Sequence, residues 1–177
     1  MMATAISRLT DKPAHFPDCC AGISWPLLEA LATHLPQNPA LILSIGCGSG
    51  LLEGMLLQAT DGELNIFGIE VPPCVNKHLP EERLLRVPCT ASLHPDAMLA
   101  SALIFVYPRK PSLVSDYLIA FLNGALEQVI WLGHRNDWPE VDVLLRPAFG
   151  KVDIIEGPGL PAYEILVVAS LPNSSHR

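Results

Sequence analysis

The stretch LILSIGCGSGLLEG, residues 41–54, decides how the rest of the chain is read. A leucine and isoleucine run is followed by glycines at alternate positions, Gly46, Gly48 and Gly50, and then by a second apolar run. This order predicts a buried strand, a tight turn and a helix. A turn of this kind needs glycine, because without Cβ the backbone reaches positive φ and can lie directly against a ligand. A dinucleotide fingerprint would carry its third glycine at position 51, where this chain has Leu51, so the turn reads GxGxG and the nicotinamide or flavin version is disfavoured.

Outward from the turn, apolar runs separated by prolines define the other elements. Ser24 is placed to cap a helix with Pro26 in its first turn, and Leu27, Leu28, Leu31 and Leu35 follow at helical spacing. Residues 51–56 carry a Leu and Met stripe that reads as core packing. Strands are expected at 41–45, 64–70, 84–87, 102–106, 129–132, 151–156 and 163–170. The crossover before the third strand has room for little more than one helical turn, since Pro72, Pro73 and Pro80 interrupt it. Ser112 is expected to open a helix closed at Asn123-Gly124, and Asp137 with Glu140 forms a capping box for a helix stopped by Pro147. The last two strands are linked only by GPGLP and its neighbours, too short a link for a parallel crossover, so the final strand should be antiparallel.

Composition bounds the function. The chain has 177 residues, half of them hydrophobic and 16% charged, which suits one domain with a full core. A net charge of −7 with only 11 scattered Lys and Arg works against nucleic acid as a partner. The five cysteines include no CxxC pair, so neither a disulfide framework nor a metal site is indicated. With no secretory pattern in the first residues and no run of membrane-spanning length, a cytoplasmic protein without membrane contact is expected.

The glycine turn, an acid twenty residues beyond it and the closing strand hairpin together resemble the class I S-adenosylmethionine (SAM) dependent methyltransferases, over roughly residues 24–170. The resemblance implies a three-layer, doubly wound α/β fold with a mostly parallel seven-stranded sheet whose last strand is antiparallel. It implies one domain over 1–177, with 1–23 as a lid or extension, 24–170 as core and 171–177 as a frayed tail. SAM is the implied cofactor, and direct methyl transfer to a small molecule the implied reaction. In such a sheet the ligand lies beyond the carboxyl ends of the strands. Gly46, Cys47, Gly48 and Gly50 would wrap the cofactor, Glu70 would hold its ribose hydroxyls, and Cys89 and Thr90 stand where the family contacts adenine.

Tyr107-Pro108-Arg109-Lys110-Pro111 occupies the position of the (Asp/Asn)-Pro-Pro-Tyr loop of amino-methylating members, with Tyr107 in place of the amide and Arg109 in place of the second proline. Tyr107 and Arg109 are therefore candidates for the methyl-transfer centre and for meeting an acidic substrate. His134, after the fifth strand, is a candidate proton acceptor. Ser44 faces the cofactor where the family commonly has Asp or Glu, which removes a charge that orders the cofactor's ammonium. His15, Phe16, Trp25 and Trp138 would serve the core, a lid or a homodimer contact. The departures at Ser44 and Tyr107 also suit a second reading, a methyltransferase-like protein that does not methylate but binds a partner or performs cyclisation or isomerisation.

Overall fold

A computed structural model describes residues 5–172 of the chain. The predicted tail NSSHR, residues 173–177, lies outside the described residues. Strands β1 (Leu41–Ile45), β2 (Asn65–Glu70), β3 (Leu84–Arg86), β4 (Ala102–Val106), β5 (Gln128–His134), β6 (Lys151–Ile154) and β7 (Glu164–Ser170) form one sheet in the order β3-β2-β1-β4-β5-β7-β6. Every pairing is parallel except those of β7, which runs antiparallel between β5 and β6. This is the expected class I methyltransferase-like architecture.

Helices α1 (Trp25–His34) and α2 (Leu51–Ala59) cover one face, and α3 (Pro111–Phe121) and α4 (Trp138–Ala148) the other. Alternation along each strand assigns side chains to faces. Ile42, Ile104, Ile130 and Leu166 pack under α1 and α2, while Leu43, Phe105, Trp131 and Val167 pack under α3 and α4. By the same alternation Ser44 shares the face of Ile42, toward α2.

Local chemistry explains most boundaries. Ser24 Oγ accepts from Leu27 N at 3.2 Å, as its capping position requires. Several details differ from the sequence reading. Helix α3 begins at Pro111 rather than Ser112, because the fixed φ of proline suits the first helical position and needs no N–H there. The Asp137 capping box does not form. A 3-10 turn over Arg135–Asp137 runs straight into α4, leaving Asp137 helical, with no side-chain cap bond. Pro147 stands inside the last turn of α4, where Val143, which loses its usual partner, is exposed to water. Strand β5 also outruns its expected span, because β7 on its far side pairs with it through Gly133 and His134.

Among the described residues no helix is long and apolar enough to cross a membrane.

Candidate active site

The carboxyl end of β1 leads into the glycine turn, which is fastened to β2 by Gly46 N–H and Cys47 N–H donating to the Ile69 carbonyl at 2.8 and 3.2 Å. Gly46, Gly48 and Gly50 all have positive φ, 73°, 59° and 79°. A Cβ at Gly46 or Gly48 would meet no atom within 4 Å, so both face open space, whereas one at Gly50 would come within 2.9 Å of Leu79 Cγ. Two glycines thus keep an approach clear, and the third permits packing.

Glu70, at the end of β2, locks this turn. Its Oε2 accepts from Gly48 N at 2.8 Å and its Oε1 from Val71 N at 2.8 Å. A carboxylate offers about four lone-pair positions, so roughly one on each oxygen remains for a further donor. That leaves a fixed pair of acceptors for vicinal hydroxyls beside a glycine backbone.

The remaining residues named from sequence fall as follows. Cys47 turns its sulfur onto Gly68 of β2, and burial raises its thiol pKa, so its backbone rather than its side chain faces the turn. Cys89 and Thr90 lie exposed beyond β3, with Cys89 Sγ 3.2 Å from Ser92 Oγ, a contact that lowers the thiol pKa. Arg109 is exposed after β4, near Cys74, whose thiol pKa burial raises against the pull of Arg86 and Arg109.

Tyr107 takes an uncommon positive φ of 46° that sends its hydroxyl to Glu164 Oε1 at 2.8 Å. Burial, and then the Glu164 carboxylate, raise the pKa of this phenol and keep it protonated. His134 ends β5 with Nδ1 accepting from Asn136 N at 3.0 Å, so the neutral ring carries its proton on Nε2 and presents a donor there. Its ring stacks on Tyr163, with centroids 5.7 Å apart, and Tyr163 Oη lies 2.7 Å from His15 Nε2.

Three acids that sequence reasoning missed complete the edge. Glu164, only 2% exposed, opens β7 opposite His134 and accepts from Gly22 N and Tyr107 Oη. Asp18 belongs to an N-terminal segment that crosses the sheet edge, held by the Ala14–Ile23 bridge. Its carboxylate accepts from Lys77 Nζ at 2.8 Å and His78 Nε2 at 3.1 Å, contacts that hold its pKa below the usual carboxylate range, while its carbonyl accepts from Ser49 Oγ. Glu53, 3% exposed, projects from α2 and accepts the Ser44 hydroxyl on Oε1, while Oε2 has no partner among the described residues. Burial pushes its pKa up to about 7, against the opposing pull of the Ser44 hydrogen bond. The one available signal for Glu53 and Glu164 is the same: a lone acid inside an apolar run.

A cavity of about 70 Å³ lies between Asp18, Cys19 and Cys20 on one side and Gly46, Gly48 and Glu53 on the other. A second, of about 140 Å³, lies under the GPGLP link, against Arg135 and Glu164. The first adjoins the glycine turn and carries the site; the second belongs to the β6–β7 hairpin.

No family model and no curated protein match the chain. Its fold does match solved methyltransferases. The SAM-dependent methyltransferase SibL in its apo form superposes with TM-score 0.61 at 16% identity, over 83% of this chain and 53% of that one. Precorrin-6y C5,15-methyltransferase from Geobacter metallireducens GS-15 gives 0.63 at 11% identity, covering 91% and 93%. Human N-acetylserotonin methyltransferase in complex with SAM gives 0.57 at 14%, covering 84% and 51%. The chain thus spans about half the length of two of these proteins and nearly all of the third. The fold is that of the class I methyltransferases.

Proposed function

We propose that the chain is an enzyme, a SAM-dependent methyltransferase that acts on a small molecule. The observation that carries this reading is the open glycine turn locked by Glu70, whose carboxylate keeps two acceptor positions for a vicinal diol. The Gly46–Gly50 backbone and Glu70 would hold the cofactor, with Ser44 behind the turn and Cys89 and Thr90 on the adenine side. When bound, SAM supplies an electrophilic methyl group on a sulfonium sulfur.

The protein's share is then chiefly alignment, since orientation of the nucleophile is the largest contribution open to a displacement of this type. Tyr107, fixed by Glu164, and His134, fixed by Asn136 and Tyr163, line the edge where the substrate would lie. His134 presents a donor there on Nε2, while the Tyr107 hydroxyl, its proton given to Glu164, presents an acceptor oxygen. Arg109, exposed beside them in sequence, suits an acidic substrate. The net charge of −7 favours a small molecule over nucleic acid, and a cytoplasmic location accords with the same composition.

Calorimetric titration with SAM and its demethylated product tests the assignment, followed by mass spectrometry of candidate acceptors. Binding of both is expected, and binding of neither overturns it. If SAM binds and no acceptor gains a methyl group, the non-methylating reading takes its place.

A further inference from the structure

Glu53 gives the fold one hydrogen bond, from Ser44 to its Oε1, and leaves Oε2 without a partner among the described residues. Helix α2 reads LLEGMLLQA, and Glu53 is its only charged residue, set among leucines and a methionine. A buried carboxylate with an unpartnered oxygen costs free energy, which an ordinary helix would avoid with a residue such as leucine. Here one oxygen is oriented by Ser44 and the other is left over.

Its surroundings define what it would accept. Glu53 lines the cavity beside Gly46 and Gly48, where a Cβ would meet open space. The other charged residue lining that cavity is also an acid, Asp18, and Glu70 lies across the turn. Lys77 and His78 are taken up by Asp18, and burial keeps the Cys19 and Cys47 thiols protonated. A ligand group entering this space meets acceptors and no free cation among the lining residues. An ammonium, with three donors and a positive charge, satisfies that set.

We propose that Glu53, carried on helix α2, is the binding residue for the ammonium of the methionine part of the cofactor, with Ser44 orienting its carboxylate. The inference rests on the SAM reading above. The missing acid at position 44 is thereby replaced from the facing helix, and the Ser44–Glu53 pair presents one carboxylate at the site as a strand acid would.

The test compares SAM with 5′-methylthioadenosine, which lacks the ammonium, by calorimetry on the full chain, on Glu53→Gln, and on the exchanged pair Ser44→Asp with Glu53→Gln. Glu53→Gln should weaken SAM by about 10- to 100-fold, the usual range for a lost charged hydrogen bond. Methylthioadenosine should bind both proteins within about 2-fold, and the exchanged pair should recover most of the SAM affinity. In the unaltered protein SAM affinity should climb from about pH 6 to about pH 7.5 as the carboxyl group ionises, while methylthioadenosine stays flat. This profile reads the same group even if the variants fold poorly. If the unaltered protein binds both ligands and its SAM profile is flat, or Glu53→Gln binds SAM normally, the role of Glu53 is overturned and the cofactor reading stands. If it binds neither, the cofactor reading fails, and this inference with it.

Discussion

The Glu53 carboxyl group links site chemistry to stability through its proton. Its pKa rises from an ordinary 4.5 to about 7 on folding, so between these values the native state binds more protons than the unfolded chain. Stability contributed by this group is therefore fully present below about pH 4.5, is lost as pH rises toward 7, and is flat above. Glu53→Gln removes the penalty. Chemical denaturation should find the variant more stable than the parent by about 2–3 kcal/mol at pH 8 and equal to it near pH 4.5. Sequence reading saw the neighbouring Ser44 as a missing charge, because replacement from a facing helix leaves no mark on the strand motif. The same limit hid Tyr107's tie to Glu164, which joins residues 57 positions apart.

At the scale of elements, the glycine turn is framed by two segments with no regular structure. The loop after β2 donates Lys77 and His78 backbone N–H groups to the Ser49 carbonyl, and Leu79 packs under Gly50. The N-terminal segment reaches the same place through Asp18, so Asp18 fastens both to the turn. Asp18→Asn keeps the size and removes the charge that Lys77 and His78 hold. Hydrogen exchange should then speed up several-fold across residues 14–22 and 76–79, with the strands unchanged. The native interaction should weaken only as pH falls below the ordinary Asp value of 3.8, since its pKa is depressed. Local rules predicted the Ser24 cap and the glycine turn well, because each depends on a few adjacent residues. They misplaced the start of α3, where a proline outweighed the Ser112 cap, and for α4 they placed the start but expected a side-chain cap that does not form after the preceding 3-10 turn.

The whole molecule depends on one strand inserted late. β7 hydrogen-bonds to β5 and β6 at once, and Ile165, Leu166, Val167, Val168 and Ala169 are all buried between the two helical layers. Burial at roughly 1.5–3 kcal/mol for each large aliphatic side chain sums to on the order of 10 kcal/mol, comparable to the entire net stability of a domain. A chain ended after Ala162 should show no cooperative thermal transition by circular dichroism and should bind a hydrophobic dye. Restoring residues 163–172 should recover both properties.

The sequence alone determined the alternation of strands and helices, the glycine turn with Glu70 beyond it, and the antiparallel sense of the final strand, because hydrophobic period, glycine spacing and link length are local quantities. The strand order and the insertion of β7 came from resemblance rather than from any local signal. Only the tertiary structure decided that Glu53 answers Ser44, that Asp18 closes over the turn, and that Glu164 fixes Tyr107. Each of these joins a buried or partly buried acid to donors far away in the chain, and such a match is set by how layers pack rather than by which residues are neighbours.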